Sequence, residues 1–511
     1  CAADAYARVS GKVGICDATV GPGVTNLVSG LAEAYASSIP VIALIADIDS
    51  SREHMRHRGI VAQAMEQTPL LEPVSKWIGR VSKPEMLVDI FDHALRVATT
   101  GRPGPVVIEV PEEVMMAELP TLDLSRFSSE SALWPRYRSA AQQSLVDDAV
   151  ARLQKANKPI ILAGGGAMAS GAHKEIAQFA NEFGIPVVTS INGKGIIDER
   201  HELSLGAVGI FGEVKASHAL VQADVVLVLG SKFSHFNSFA WQLPTKHQDI
   251  IHIDIDGEEL SRSIAVSLEI VADVKEAASQ ILAALSQDKK DFTWQIEGEV
   301  AAQPGTAADD PAVAPEAVVT SINQAFSEDT IVVSDASLSS GWVASWHKVR
   351  QAGRGYIAPR GMAGLGWACG AAIGAAMAAP KGTRVVVVAG DGATAYWLGE
   401  IETAVRLKLP ITFVVLNNAG FGWIVQCERT MGFNQESTFA PIDFAGVGLS
   451  MGTGGVRAHS IAEVQAGLKK AAEHQGPFVL DVLSSDISTP TVDFELIDQA
   501  SGKAGGAYGV G

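Results

Sequence analysis

Short, unbroken runs of β-branched and apolar residues recur along this chain, and each stops abruptly on glycine, an acid or an amide. "PIILAGGG", "DVVLVLGS", "RVVVVAGDG" and "PITFVVLNN" have no polar face. A strand apolar on both sides must be covered on both sides, which calls for a parallel sheet with helices on each face. Segments of helical period separate the runs. The pattern therefore predicts an α/β chain of doubly wound parallel sheets.

Three blocks of this kind are expected, in keeping with 511 residues. Residues 1–125 hold "VGICDAT", "PVIALIA" and "GPVVIEVP"; 145–285 hold "KPIILAGGG", "IPVVTS", "ADVVLVLGS" and "DIIHIDID"; 314–488 hold "TIVVSDAS", "RVVVVAGDG", "PITFVVLNN" and "PFVLDVLSS". The aperiodic "DLSRFSSESALWPRYRSA" and the polar "EGEVAAQPGTAADDPAVAP" read as linkers, and 489–511, ending "SGKAGGAYGVG", as a flexible tail. The opening "CAADAYAR" reads as the middle of a helix without initiator Met or N-cap. The expectation is a first domain lacking its beginning.

Composition removes several functions. The formal net charge is −18 and no basic stripe runs through the chain, which argues against nucleic acid. No apolar stretch approaches the roughly 20 residues of a membrane helix; Pro380 closes the alanine-rich 371–379. Cys1, Cys16, Cys369 and Cys427 have neither metal-site nor disulfide spacing, which fits a reduced cytoplasm.

Chemistry concentrates in the third block. The run 385–389 ends on Gly390-Asp391-Gly392. A helical segment over 394–407 follows, with Leu398, Ile401 and Val405 on one face, and the next run ends on Asn417-Asn418. Right-handed crossover puts both strand ends on one sheet edge, so Asp391 and Asn418 converge. A carboxylate with an amide oxygen suits a hard cation such as Mg²⁺, which keeps positions for phosphate oxygens and water. Gly392 and Ala393 open a helix whose first amides favour phosphate. Gly-Asp-Gly alone is a common turn and Asn-Asn alone a common strand exit; together, on consecutive buried strands, they point to a diphosphate held through Mg²⁺.

In these residues the chain resembles the thiamine diphosphate (ThDP) enzymes, whose signature is Gly-Asp-Gly followed by Asn-Asn. Over nearly its whole length it is similar to the acetolactate synthase type. "YARVSGKVGICDATVGPGVTNLVSGLAEAYASSIPVIAL" and "GRPGPVVIEVP" match the pyrimidine-binding domain, "GIPVVTSINGKG" and "IIHIDID" the central Rossmann-like domain, and "APRGMAGLGWACGAAIGAAMA" the start of the diphosphate domain's cofactor segment. The resemblance implies Mg²⁺ ligation by Asp391, Asn418 and the Gly420 carbonyl. It implies cofactor contacts from Pro22, Asn26, Ser339, Ser340, Ala363, Leu365, Gly390, Gly392, Ala393, Thr394, Asn418 and Gly422. Leu365 would wedge beneath the bent cofactor, with the Ala363 carbonyl and Leu365 amide on the pyrimidine edge. Gln63 would reach the substrate. The glutamate that the family places before its "A-A-x-x-Y-A-R" helix would fall upstream of Cys1, within about 50 missing residues. A protein beginning at Cys1 is expected to have little activity. Glu33 and Glu66 do not replace that glutamate by position.

Departures bear on the substrates. Where the family has G-M-V-x-Q-W, this chain has Gly422-Trp423-Ile424-Val425-Gln426-Cys427, which reshapes the second-substrate pocket through Trp423, Ile424 and Cys427. "GSKFSHFNSF" keeps Phe233 but lacks the paired Asp of FAD-containing relatives. Gly164–Gly166 fits a phosphate approach or a routine tight turn, and the balance runs against FAD. "SREHMRHRG" reads as a solvated loop or, through Arg56 and Arg58, as an attractor of 2-oxo acid carboxylates.

The leading reading is a ThDP- and Mg²⁺-dependent enzyme that decarboxylates a 2-oxo acid, with ligation of the product to a second aldehyde or ketone, in a homodimer or homotetramer. The alternatives are a decarboxylase or lyase of the benzoylformate decarboxylase or benzaldehyde lyase type, and a non-catalytic protein on the ThDP fold.

Overall fold

A computed structural model describes residues 1–118, 121, 123–297 and 310–488. The tail expected at 489–511 and most of the second linker lie outside the described residues. The chain divides into two compact units, Cys1–Tyr137 with Pro359–Pro380, and Arg138–Ala358 with Lys381–Gly511.

The first unit carries a parallel sheet in the order β1-β2-β4-β3: β1 Gly14–Ala18, β2 Val41–Asp47, β3 Ile78–Arg80 and β4 Val106–Pro111. Helix Ala2–Ser10 packs tightly against Trp367–Ala378. A Cβ on Gly374 would sit 1.9 Å from the Ala2 carbonyl oxygen, so only glycine lets the two backbones approach. The linker over 123–140 is tied down: Trp134 is buried and its indole N–H donates to the Ala7 carbonyl at 3.2 Å.

The second unit contains two six-stranded parallel sheets. One has the order β10-β9-β8-β5-β6-β7, from β5 Pro159–Ala163, β6 Val187–Thr189, β7 Ser204–Ala207, β8 Val225–Leu229, β9 Asp249–Asp254 and β10 Leu268–Val271. The other has the order β12-β11-β13-β14-β16-β15, from β11 Ile331–Ser334, β12 Tyr356–Ile357, β13 Val385–Gly390, β14 Ile411–Asn417, β15 Gly454–Ala458 and β16 Phe478–Leu483. Every residue of β5, β8 and β14 is buried, as apolar runs without a polar face require. The expected fold class is the observed one.

One expectation needs correcting. The single helix over 394–407 is two, Asp391–Tyr396 and Gly399–Arg406, because Trp397 leaves helical geometry (φ −133°) ahead of Gly399. Among the described residues, no helix is long and apolar enough to cross a membrane.

Candidate functional site

Strands β13 and β14 pair in parallel with Gly390 opposite Leu416, so the two chains leave the sheet side by side. Asp391 is buried at the first tip. Its Oδ1 accepts the Gly392 N–H at 2.8 Å and its Oδ2 accepts the Asn418 N–H at 3.1 Å. The amides of Ala419 and Gly420 also point at this carboxylate. They can do so because Ala419 adopts φ +55°, a left-handed conformation that curls successive amides toward one anion. Burial pushes the Asp391 carboxyl up to about 6 against the pull of these amides. Backbone dipoles therefore compensate the buried charge only in part.

The two asparagines divide the work. Asn417 is buried and structural: its amide donates to Asp481 Oδ1 at 2.8 Å on neighbouring β16 and to the Ile442 carbonyl at 2.9 Å. Asn418 is half-buried, and a Cβ on Gly422 would lie 2.9 Å from its Nδ2, so Gly422 is glycine to let this side chain pass. Around Gly420, the isolated bridge to Thr438 uses the Ala419 carbonyl and the Phe421 N–H, which leaves the Gly420 carbonyl out of that bridge. No group of three or more His, Cys, Asp or Glu stands in ligating arrangement among the described residues. The residues expected to act as ligands, Asp391, Asn418 and Gly420, carry one carboxylate, one amide oxygen and one carbonyl. That donor set suits Mg²⁺ sharing its remaining positions with phosphate, and not zinc.

The flanking glycines have separate reasons. A Cβ on Gly392 would press into the Phe421 ring at 2.6 Å, so that glycine answers to packing rather than to a ligand. A Cβ on Gly390 would meet nothing nearer than Ser339 Oγ at 4.0 Å, which leaves open space at the strand end. Ser339 is thus brought to the tip. Ser340 is buried and donates to the Ser337 carbonyl at 2.9 Å, and the Thr394 hydroxyl donates to the Gly390 carbonyl at 2.9 Å. Ala393 is buried within the short helix.

Helix Gly422–Met431 leaves the same tip. Trp423 stands edge-on to Phe211 (4.7 Å between centroids, 81°) and to Phe236 (5.9 Å, 77°), which are themselves stacked at 5.5 Å and 10°. Cys427 lies one turn on from Trp423, and Ile424 is half-exposed. The "GSKFSHFNSF" loop therefore contributes an aromatic wall through Phe236, a role the sequence did not suggest.

The remaining candidates lie in the first unit. Pro22 begins helix Pro22–Ala36 and Asn26 follows a turn later, both exposed. Gln63 is exposed, in a turn with φ +60° rather than on a helix, and its backbone carbonyl backs onto Gly21: a Cβ there would be 2.2 Å away. The residue that grips this turn is Gln67, buried and missed from sequence, which accepts the Gly21 N–H at 2.9 Å. Ala363 has φ +56° and Gly366 φ +85°, and between them Leu365 is 38% exposed, an apolar side chain held out by its loop. Arg56 is not available to a substrate carboxylate. It is buried, with bonds to Asp47 at 2.8 and 2.9 Å and to Glu53 at 2.8 Å.

In the second unit, Gly164–Gly166 resolves as packing. A Cβ on Gly164 would fall 2.1 Å from the Gly230 carbonyl oxygen, and the Gly166 N–H donates to that oxygen at 2.9 Å.

Comparison with known proteins decides the family. Three models of the thiamine pyrophosphate enzymes match: the N-terminal TPP binding domain over residues 1–70, the central domain over 146–281 and the C-terminal TPP binding domain over 335–482. A probable acetolactate synthase large subunit of Methanocaldococcus jannaschii is 31% identical over 500 residues, covering 94% of this chain and 83% of that protein. The chain belongs to the thiamine pyrophosphate enzyme family. The acetolactate synthase large subunit of Corynebacterium glutamicum is 29% identical over 510 residues, and chloroplastic acetolactate synthase 1 of Oryza sativa subsp. japonica 30% over 505. Each covers 94% of this chain, and the alignment takes in 78% and 76% of those proteins. Thiamine pyrophosphate is thiamine diphosphate under another name, so the expected cofactor and the expected enzymatic character both follow. The match over residues 1–70 gives no support to the expectation that the domain lacks its beginning.

Proposed function

We propose that this enzyme decarboxylates a 2-oxo acid and ligates the retained unit to a second carbonyl compound, in the manner its acetolactate synthase relatives are named for. What carries the reading is the joined tip of β13 and β14, where the buried Asp391 carboxylate accepts the N–H groups of Gly392 and Asn418. Asp391, the Asn418 side chain and the Gly420 carbonyl would hold Mg²⁺, and through it the diphosphate, with Ser339, Gly390 and Gly422 at the same end of the sheet. When bound, ThDP supplies a nucleophilic carbon that adds to the substrate carbonyl and accepts the electron pair released with CO₂.

The protein's own residues then bind, orient and exclude water. Leu365, held out between two left-handed residues, supports the cofactor, with the Ala363 carbonyl and Leu365 amide on its pyrimidine edge. Pro22, Asn26 and Gln63 belong to the surface offered to the cofactor and substrate. Trp423, fixed edge-on by Phe211 and Phe236, forms a rigid wall that limits the second substrate, and Cys427 leaves room one turn further on. The functional assembly is a homodimer or homotetramer. Because several relatives are named large subunits, a smaller partner subunit is part of the proposal. A reducing compartment, the cytoplasm, is part of the proposal, and the four free cysteines are what supports it.

Calorimetric titration with ThDP, with and without Mg²⁺, followed by product analysis on pyruvate, tests the reading. Mg²⁺-dependent binding and acetolactate are expected. Free aldehyde alone would move the assignment to a simple decarboxylase or lyase, and binding without turnover to a non-catalytic role.

A further inference from the structure

Glu33 is the only charged residue of helix Pro22–Ala36, and an acid near the end of a helix gains nothing from the helix dipole. It is buried at 2% exposure. Its Oε1 accepts from Arg8 at 3.2 Å, from the Ser37 hydroxyl at 2.6 Å and from the Gly361 N–H at 3.0 Å; its Oε2 accepts the N–H groups of Met362 at 2.7 Å and Ala363 at 3.2 Å. Three consecutive backbone donors thus converge on one carboxylate. An ion pair with Arg8 would need none of them, since Arg8 also bonds Asp4 at 2.7 and 3.1 Å.

The loop receiving this anion is unusual. Gly361 rests on the last turn of the helix, where a Cβ would lie 2.7 Å from Ala36 Cβ and 2.9 Å from Ser37 Oγ. Ala363 then enters the left-handed region, which an L-residue adopts only when its surroundings insist. Consecutive amides turned inward onto an anion make such a conformation favourable. Beyond it stands the exposed Leu365.

We propose that Glu33 is a positioning residue: its carboxylate sets the conformation of loop 361–366 and so fixes how Ala363 and Leu365 are presented to ThDP. The presentation rests on the functional reading above; the control of the loop does not. Glutamine has the same shape but only one accepting oxygen, and its NH₂ group would face donors.

The test compares Glu33→Gln with Asp4→Asn, which disturbs the same Arg8 network, and the Trp367 indole N–H that Asp4 Oδ2 accepts at 3.2 Å, without touching the loop amides. Hydrogen exchange on the ThDP-free protein reads the loop directly. Exchange at residues 361–363 should quicken about tenfold or more in E33Q, with helix Trp367–Ala378 still protected, and should be unchanged in D4N. Half-saturation by ThDP should rise about tenfold in E33Q, with the fall in kcat smaller than that in cofactor affinity, and again stay unchanged in D4N. Equal exchange in E33Q and wild type, or the same quickening in both variants, overturns the inference. If the wild type binds no ThDP, the functional reading fails, and the exchange result still decides the role of Glu33. Should E33Q not fold, Gly361→Ala, which lifts the same loop off the helix, must reproduce both effects or the inference falls.

Discussion

Two strand ends in the second unit look alike in sequence and differ in use. After β5 and β8, Gly164–Gly166 and Gly230 crowd together. After β13 and β14, Gly390 has open space beside it while Asn418 donates its N–H to Asp391. Both regions even hold an acid pushed up to about 6 by burial, Asp254 at the end of β9 and Asp391 at the end of β13. What separates them is where the missing side chain of glycine would point. At Gly164 it would strike a carbonyl oxygen at 2.1 Å; at Gly390 it would enter open space. Glycine at a strand end thus signals either backbone packing or access for a ligand, and only the neighbouring strand tells which.

The sharpest way to break this contrast is the same substitution at both acids. Asp391→Asn removes the charge a cation requires and should weaken Mg²⁺–ThDP binding by at least about a hundredfold, roughly 2.7 kcal/mol. Asp254→Asn should leave that affinity within about twofold. Calorimetry on both variants decides it.

A methyl group probes the glycines next. Gly164→Ala collides with backbone that cannot yield cheaply and should cost about 2–3 kcal/mol in urea unfolding. Gly390→Ala should change stability by less than about 1 kcal/mol, since its φ of −70° suits any L-residue, and should lower ThDP affinity instead.

Asp254 also makes a pH prediction. Its carboxyl is raised from 3.8 to about 6, first by burial, against the Asp256 N–H it accepts at 3.0 Å. A raised acid favours the folded state below its unfolded value, and that advantage is lost as pH rises through the folded one. Asp254→Asn should therefore be neutral near pH 3.5 and stabilising by about 3 kcal/mol at pH 7, the difference between 3.8 and about 6 at roughly 1.36 kcal/mol per pH unit. A flat difference between those pH values contradicts the assignment.

Smallest is the aromatic wall. Phe236→Ala removes one of two rings that hold Trp423, about 1 kcal/mol of interaction. It should alter KM for the second substrate severalfold while leaving the half-saturating ThDP concentration unchanged.

The fold was readable from sequence wherever burial is complete. The runs that became β5, β8, β13 and β14 are apolar on both faces because both faces are covered. The strands that went unread, β3, β7, β10, β12 and β15, all lie at sheet edges. There one side has no neighbour to select for valine and isoleucine: β10 alternates buried and exposed residues, and β15 begins with two glycines. The site divides similarly. Asp391 and Asn418 announced themselves because strand ends fix their position. Gln67 and Glu33 did not, since their partners are backbone amides of segments far along the chain, Gly21 and 361–363, and amides leave no mark in a sequence.

Crystals of the protein grown with Mn²⁺ in place of Mg²⁺ and with ThDP, read by anomalous diffraction, put the central claim to the most direct test. The account predicts one strong peak roughly 2 Å from oxygens of Asp391, Asn418 and the Gly420 carbonyl, shared with two phosphate oxygens. A bound cofactor whose metal lies elsewhere, with Asp391 still bonded only to backbone amides, would contradict it.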